Sequence, residues 1–133
     1  MILVDSSVWI DYFNGNSTEA VEYLEVALGK EDLIIGDLIL TEVLQGFKSD
    51  KDFDTAKDLL TSFDVHNLLN EDIAIKSADN FRILRKKGLT VRKTIDVIIA
   101  TYCIEHHISL LHADKDFTPF ANHLGLRILP KGM

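Results

Sequence analysis

The 133 residues predict an α/β fold, a central parallel sheet of about five strands with helices on both faces. Three observations point there. Short apolar runs alternate with longer stretches whose apolar residues recur every three or four positions. Most boundaries between them carry a capping or stopping residue. Composition is that of a folded chain, 47% hydrophobic and 26% charged, with no repeat or Pro/Ser-rich linker, so residues 1–133 read as a single domain.

The elements follow in order. Ile2-Leu3-Val4 is a short buried strand, and Asp5-Ser6-Ser7 is a natural cap for a helix through Trp9, Ile10 and Phe13 that stops at Asn14-Gly15. Ser17-Thr18 caps a second helix carrying Ala20, Leu24, Ala27 and Leu28 on one face, with Gly29 as its stop. Residues 33–35 form a second strand, after which Asp37 caps a helix running to about Lys48. A helix over 51–62 and a third strand at 63–66 come next. Ile73, Ser77, Phe81 and Leu84 share one face of a helix over 71–87 that ends at Gly88. Thr94 caps an unusually apolar helix from Ile95 to about His106. A fourth strand at 109–112, a short helix at 116–123 capped by Asp116, and a fifth strand at 127–129 complete the chain.

Cys103 is the only cysteine, which excludes an internal disulfide and leaves no thiolate metal spacing. The first residues lack the basic start of a signal peptide, and no apolar run approaches the roughly 20 residues of a membrane span, so a cytoplasmic protein without membrane attachment is expected. The net charge of −7 argues against a nucleic-acid partner, but it divides unevenly. Residues 1–79 hold 17 acids and 5 bases, and residues 80–133 hold 4 acids and 9 bases. Arg82, Arg85, Lys86, Lys87, Arg92 and Lys93 fall within one twelve-residue stretch, which either ends a helix in cations or offers a face to a polyanion.

Parallel sheets gather ligands beyond the carboxyl ends of their strands. Asp5 follows the first strand directly and Asp114 follows the fourth by two residues, so both are expected at one rim, although either also suits a plain cap or turn. Asp96 is the least comfortable acid. Its helix neighbours Ile99, Ala100 and Cys103 make its face apolar, where a lone carboxylate is strongly disfavoured. Glu42 lies in a similarly apolar setting between Leu38 and Leu44, although taken alone it suits a solvated helix edge better. Two ionised carboxylates about 4 Å apart repel by roughly 4 kcal/mol at an effective dielectric near 20, so a converging set needs a cation or protons. All-oxygen ligation, with no regularly spaced His, selects Mg2+ or Mn2+ over zinc. Carboxylate-held Mg2+ with bases nearby is the equipment of phosphodiester hydrolysis.

Four segments then match a known family in its order. They are Leu3-Val4-Asp5-Ser6-Ser7-Val8-Trp9-Ile10, Thr41-Glu42-Val43-Leu44-Gln45-Gly46, Val91-Arg92-Lys93-Thr94-Ile95-Asp96-Val97-Ile98-Ile99-Ala100, and Leu110-Leu111-His112-Ala113-Asp114-Lys115-Asp116-Phe117. On these segments the chain resembles the PIN-domain ribonucleases, most closely the VapC toxins of toxin–antitoxin pairs. The resemblance implies a PIN-like three-layer sandwich and a metal-dependent endoribonuclease. It implies that Asp5, Glu42, Asp96 and Asp114 are catalytic and bind Mg2+ or Mn2+, that Ser7 organises the site, and that Asp116 is a further acid of variable role. It also implies an RNA substrate, a homodimer and a VapB-type antitoxin whose tail fills the active-site groove. Arg92 foremost, then Lys93, Arg85 and Lys86, are candidate RNA phosphate contacts beside the site. Trp9, Tyr12 and Phe13 are expected mainly in the core rather than against bases. His112 stands where many members have Thr or Ser, and Ser6 replaces a common Thr, a change expected to matter little.

Two rival readings are a binding-only PIN domain and a phosphoacceptor or phosphatase-like signalling domain using Asp5. The second wants another Asp two residues on, where this chain has Ser7, and a lysine beyond the fifth strand better placed than Lys131.

Overall fold

Which strand sits at the centre of the sheet decides where the chain can build a site. The computed structural model describes residues 1–131. Its strands are β1 (Ile2–Val4), β2 (Leu33–Gly36), β3 (Asp64–His66), β4 (Ser109–Leu111) and β5 (Ile128–Leu129). All pair in parallel, in the order β3-β2-β1-β4-β5. The first strand is therefore central, with the chain extending the sheet to one side through β2 and β3 and later to the other through β4 and β5. The carboxyl end of β1 is thus a topological switch point, where crossovers diverge and leave a crevice. Every residue of β1 is buried, as a central parallel strand covered on both faces requires. Registers Leu3↔Leu110 and Val4↔Leu111 continue past the strand, where the Asp5 N–H donates to the Leu111 carbonyl at 2.9 Å.

The helices are α1 (Ser6–Phe13), α2 (Glu19–Ala27), α3 (Asp37–Leu44), α4 (Asp50–Leu60), α5 (Glu71–Lys86), α6 (Thr94–His106) and α7 (Thr118–Leu124). Side-chain oxygens of Thr18, Ser49 and Asn70 accept backbone N–H groups at the starts of α2, α4 and α5. Among the described residues no helix is long and apolar enough to cross a membrane.

Four boundaries differ from expectation. Gly36, not Asp37, occupies the cap of α3. The Asp37 carboxylate instead accepts the N–H of Leu38 at 2.8 Å and that of Leu68 at 3.1 Å, tying the loop after β3 to the start of α3. Helix α3 stops at Leu44 rather than Lys48, because Gly46-Phe47 turns the chain toward the new cap at Ser49. Lys93, not Thr94, caps α6 and does so without a side-chain hydrogen bond. Asp114, not Asp116, begins the short 3₁₀ turn Lys115–Phe117 that leads into α7. At the end of α6, His107 adopts the left-handed conformation (φ 55°) and closes the helix.

Trp9 is fully buried, stacked on Phe13 at 6.0 Å between ring centroids and tilted against Phe63 at 5.8 Å, as a core residue should be. Gly36 joins β2 to α3, the helix that carries Glu42. A Cβ there would meet the fully buried Leu68 side chain at 2.4 Å. Gly36→Ala is expected to destabilise the fold by about 1–3 kcal/mol, the usual effect of overpacking. Urea unfolding checks this, and an unchanged midpoint would show that Leu68 yields freely.

Candidate active site

Each acid reaches the switch point by a different local route. Asp5 ends β1 and caps α1, its carboxylate accepting the Ser7 N–H. Asp96 lies in the first turn of α6, where the helix dipole favours an anion. Asp114 begins the 3₁₀ turn after β4, the strand beside β1. Glu42 comes from the middle of α3, in contact with α1. Carboxylate oxygens of Asp96, Asp114 and Asp116 all lie within 4.8 Å of one another. Asp5 and Glu42 are close enough to both perturb Asp96.

Short side chains hold these acids in place. The Ser7 hydroxyl donates to Asp5 Oδ2 at 2.6 Å and accepts the Ala113 N–H at 3.2 Å, linking the end of β1 to the loop after β4. Ser6 donates to Glu42 Oε1 at 3.0 Å. His112, 1% exposed, accepts the Asp114 N–H on Nδ1 at 3.1 Å, and Asp114 Oδ1 accepts the Asp116 N–H at 2.9 Å. The imidazole therefore carries its proton on Nε2 when neutral, and burial lowers its pKa below the usual histidine value.

What the chain does not supply is as informative. Asp5 is 3% exposed and Asp96 6% exposed, yet Asp5 Oδ1 and Asp96 Oδ2 are buried with no hydrogen-bond partner. Burial, then the charges of Asp5 and Asp114, push Asp96 up to about 7, with Glu42 adding to the rise and Lys93 opposing it. Burial likewise raises Asp5 against the hydrogen bonds from Ser7, and raises Glu42 against the one from Ser6. Buried, partnerless oxygens on mutually repelling carboxylates fit a hard divalent cation. The nearby donors are all oxygen, and His112 Nδ1 is already engaged.

The basic residues divide by position. Lys93 caps α6 beside the acids and lowers both Asp96 and Glu42. Arg92 is directed to Asp116, in a 3.3 Å ion pair with its own side chain 75% exposed. Arg85 lies over the Phe81 ring at 5.6 Å, and Lys86 ends α5. The Ser6–Glu42 bond had no signal in the sequence beyond two serines after Asp5, because it depends on how α1 and α3 pack.

These features define a class. The PIN-domain family model matches residues 2–122, and the chain belongs to that family. Within it the chain groups with the VapC ribonucleases. Ribonuclease VapC11 of Mycobacterium tuberculosis and a VapC ribonuclease of Mycobacterium bovis are each 32% identical over 132 residues, covering 96% of this chain and 96% of theirs. The fold is also that of VapBC2 from Rickettsia felis, solved bound to a DNA fragment from its promoter (TM-score 0.75, 17% identity, 96% and 97% of the two chains). FitAcB from Neisseria gonorrhoeae is similar (TM-score 0.73, 18% identity, 96% of each). The phosphoacceptor reading of Asp5 gives way to this membership.

The raised acids have a thermodynamic consequence. The folded, metal-free chain keeps protons on Asp96 up to about pH 7, whereas the unfolded chain releases them near 3.8. Folded protein thus binds more protons in that interval, and its stability falls as pH rises from about 4 to about 7 through this group, then levels off. Urea midpoints measured in EDTA are expected to show this decline, and Asp96→Asn is expected to flatten it. A decline unchanged by Asp96→Asn would remove Asp96 as its source.

Proposed function

We propose that this protein is a divalent-metal-dependent endoribonuclease, the toxin of a toxin–antitoxin pair. The observation that carries the reading is the pair of buried, partnerless oxygens, Asp5 Oδ1 and Asp96 Oδ2, within a cluster of like charges. Membership among the VapC ribonucleases supports RNA as substrate. The solved VapBC neighbours support a VapB-type antitoxin as partner.

Asp5, Asp96 and Asp114 would hold the ion, Mg2+ by preference and Mn2+ as a substitute, and Asp116, grouped with Asp96 and Asp114, would extend the set toward Arg92. When bound, the ion activates water and offsets charge on the phosphate. Glu42, steadied by Ser6, would be placed to ligate the ion or to accept a proton from water. Ser7 fixes the rotamer of Asp5 while holding the loop of Asp114 against it. Lys93 faces the phosphate at the acids, with Arg92, Arg85 and Lys86 along the strand's path. A homodimer and a cytoplasmic setting belong to the same reading.

Cleavage of RNA by purified protein in Mg2+ tests it. Asp96→Asn and excess EDTA are each expected to lower the rate by more than about 100-fold. Ser7→Ala, which removes the hydroxyl bonded to both Asp5 and the Ala113 N–H, is expected to cost roughly 10–100-fold. Cleavage that survives both Asp96→Asn and EDTA would overturn the mechanism, and metal binding without cleavage would favour the binding-only domain.

A further inference from the structure

We propose that the cleft between α1 and the end of α3 is a subsite for one nucleobase of the RNA, beside the bond that is cut. The inference rests on the endoribonuclease reading and adds to it where a neighbouring base is read. Ile10, Phe13 and Asn14 project from one face of α1 at helical spacing, and Glu42, Val43, Gly46 and Phe47 close the opposite wall. Glu42 belongs to both the cleft and the acid cluster, so the two are continuous. Along the axis of α1 the cleft lies about 8–14 Å beyond Asp5, at 1.5 Å per residue. It is therefore next to the acids rather than over them.

Chemistry selects the occupant. The cavity measures about 140 Å³, close to the roughly 150 Å³ that holds a single benzene ring. Phe13 and Phe47 meet edge to face at 5.5 Å, and buried Trp9 stacks behind Phe13, so the aromatic wall is backed by the core. Ile10 is 42% exposed at the cleft, an apolar surface open to a ligand. Asn14 offers one donor and one acceptor group, the pair a base edge requires. No Lys or Arg lines the cleft, and Glu42 does, which disfavours a phosphate and suits an uncharged ring. Single-stranded RNA is recognised in this way, by splayed bases stacked on aromatic side chains.

Gly46 keeps the cleft open. Its φ is not positive, and a Cβ there would meet only the Val43 carbonyl oxygen at 3.5 Å, an ordinary contact. The backbone therefore tolerates a side chain at this position, and a large one would narrow the cleft on the side away from Asp5, Asp96 and Asp114, with Glu42 the one acid it shares a wall with.

The test uses the full chain, Mg2+ and a pool of RNA hairpins with randomised loops, with cut sites read by sequencing. The unaltered protein is expected to prefer one base at one position near the cut by about tenfold, the scale of the discrimination that a hydrogen-bonding side chain such as Asn14 gives at a base edge. Gly46→Leu is expected to erase the preference at that position alone, with metal dependence and thermal midpoint unchanged. Asn14→Ala, at an exposed position, is expected to weaken the same preference and serves if Gly46→Leu folds poorly. A pool cut with the same positional profile by both variants and the unaltered chain would overturn the subsite, leaving the cleft to a protein segment. A pool left uncut by the unaltered chain would overturn the endoribonuclease reading along with it.

Discussion

Mutual repulsion of carboxylates at the carboxyl end of β1 is the constraint around which the molecule is arranged. Asp5 and Asp96 are almost wholly buried, and each leaves one oxygen without a partner. Burial and neighbouring acids together hold Asp96 near neutrality, far above an ordinary aspartate. A domain has only about 5–15 kcal/mol of net stability to set against such a cluster. Core burial on both faces of the sheet offsets that cost in the absence of a cation, and a bound cation would relieve it.

Topology brings the acids together, and small polar side chains aim them. Because β1 is central and the chain departs from it in both directions, the ends of β1 and β4 and the start of α6 share one crevice. Ser7 then spans from Asp5 to the Ala113 N–H, Ser6 reaches Glu42, and His112 holds the Asp114 N–H. These bonds fix how the carboxylates and their loops are oriented, the role that second partners of metal ligands commonly play. His112 fills, with an imidazole nitrogen, the acceptor position that a Thr or Ser hydroxyl would take two residues before the bonded N–H. The imidazole at that position is buried and packs against Phe117 at 5.3 Å between ring centroids.

Much of this was legible in the sequence, for identifiable reasons. The strands are short, apolar and bounded by capping residues, so the alternating pattern exposed the parallel sheet and the rim at which Asp5 and Asp114 meet. Asp96 stood out because an acid on an apolar helix face needs an explanation. The boundaries that differed did so where tertiary contacts competed with local capping. Asp37 bonds Leu68 across the sheet instead of capping α3, and Asp114 takes the cap expected of Asp116. The bond from Ser6 to Glu42 could not be read from the sequence, because it depends on the packing of α1 on α3. Arg92 and Lys93 were both expected near the acids, and they divide there: Lys93 perturbs Asp96, while Arg92 pairs with Asp116. Both residues lie in the non-helical segment that enters α6, where helical periodicity gives no guide to side-chain direction.

The central claim is that the buried acids form a cation site rather than a set of protonated core residues. Calorimetric titration of Mn2+ into the metal-free chain tests it most directly. Saturable binding is expected, with a gain of about 2.7 kcal/mol in unfolding free energy at a hundredfold excess of free ion over the dissociation constant. Both the binding and the gain should be lost in Asp5→Asn. Absence of saturable binding, or equal binding by Asp5→Asn, would contradict the account.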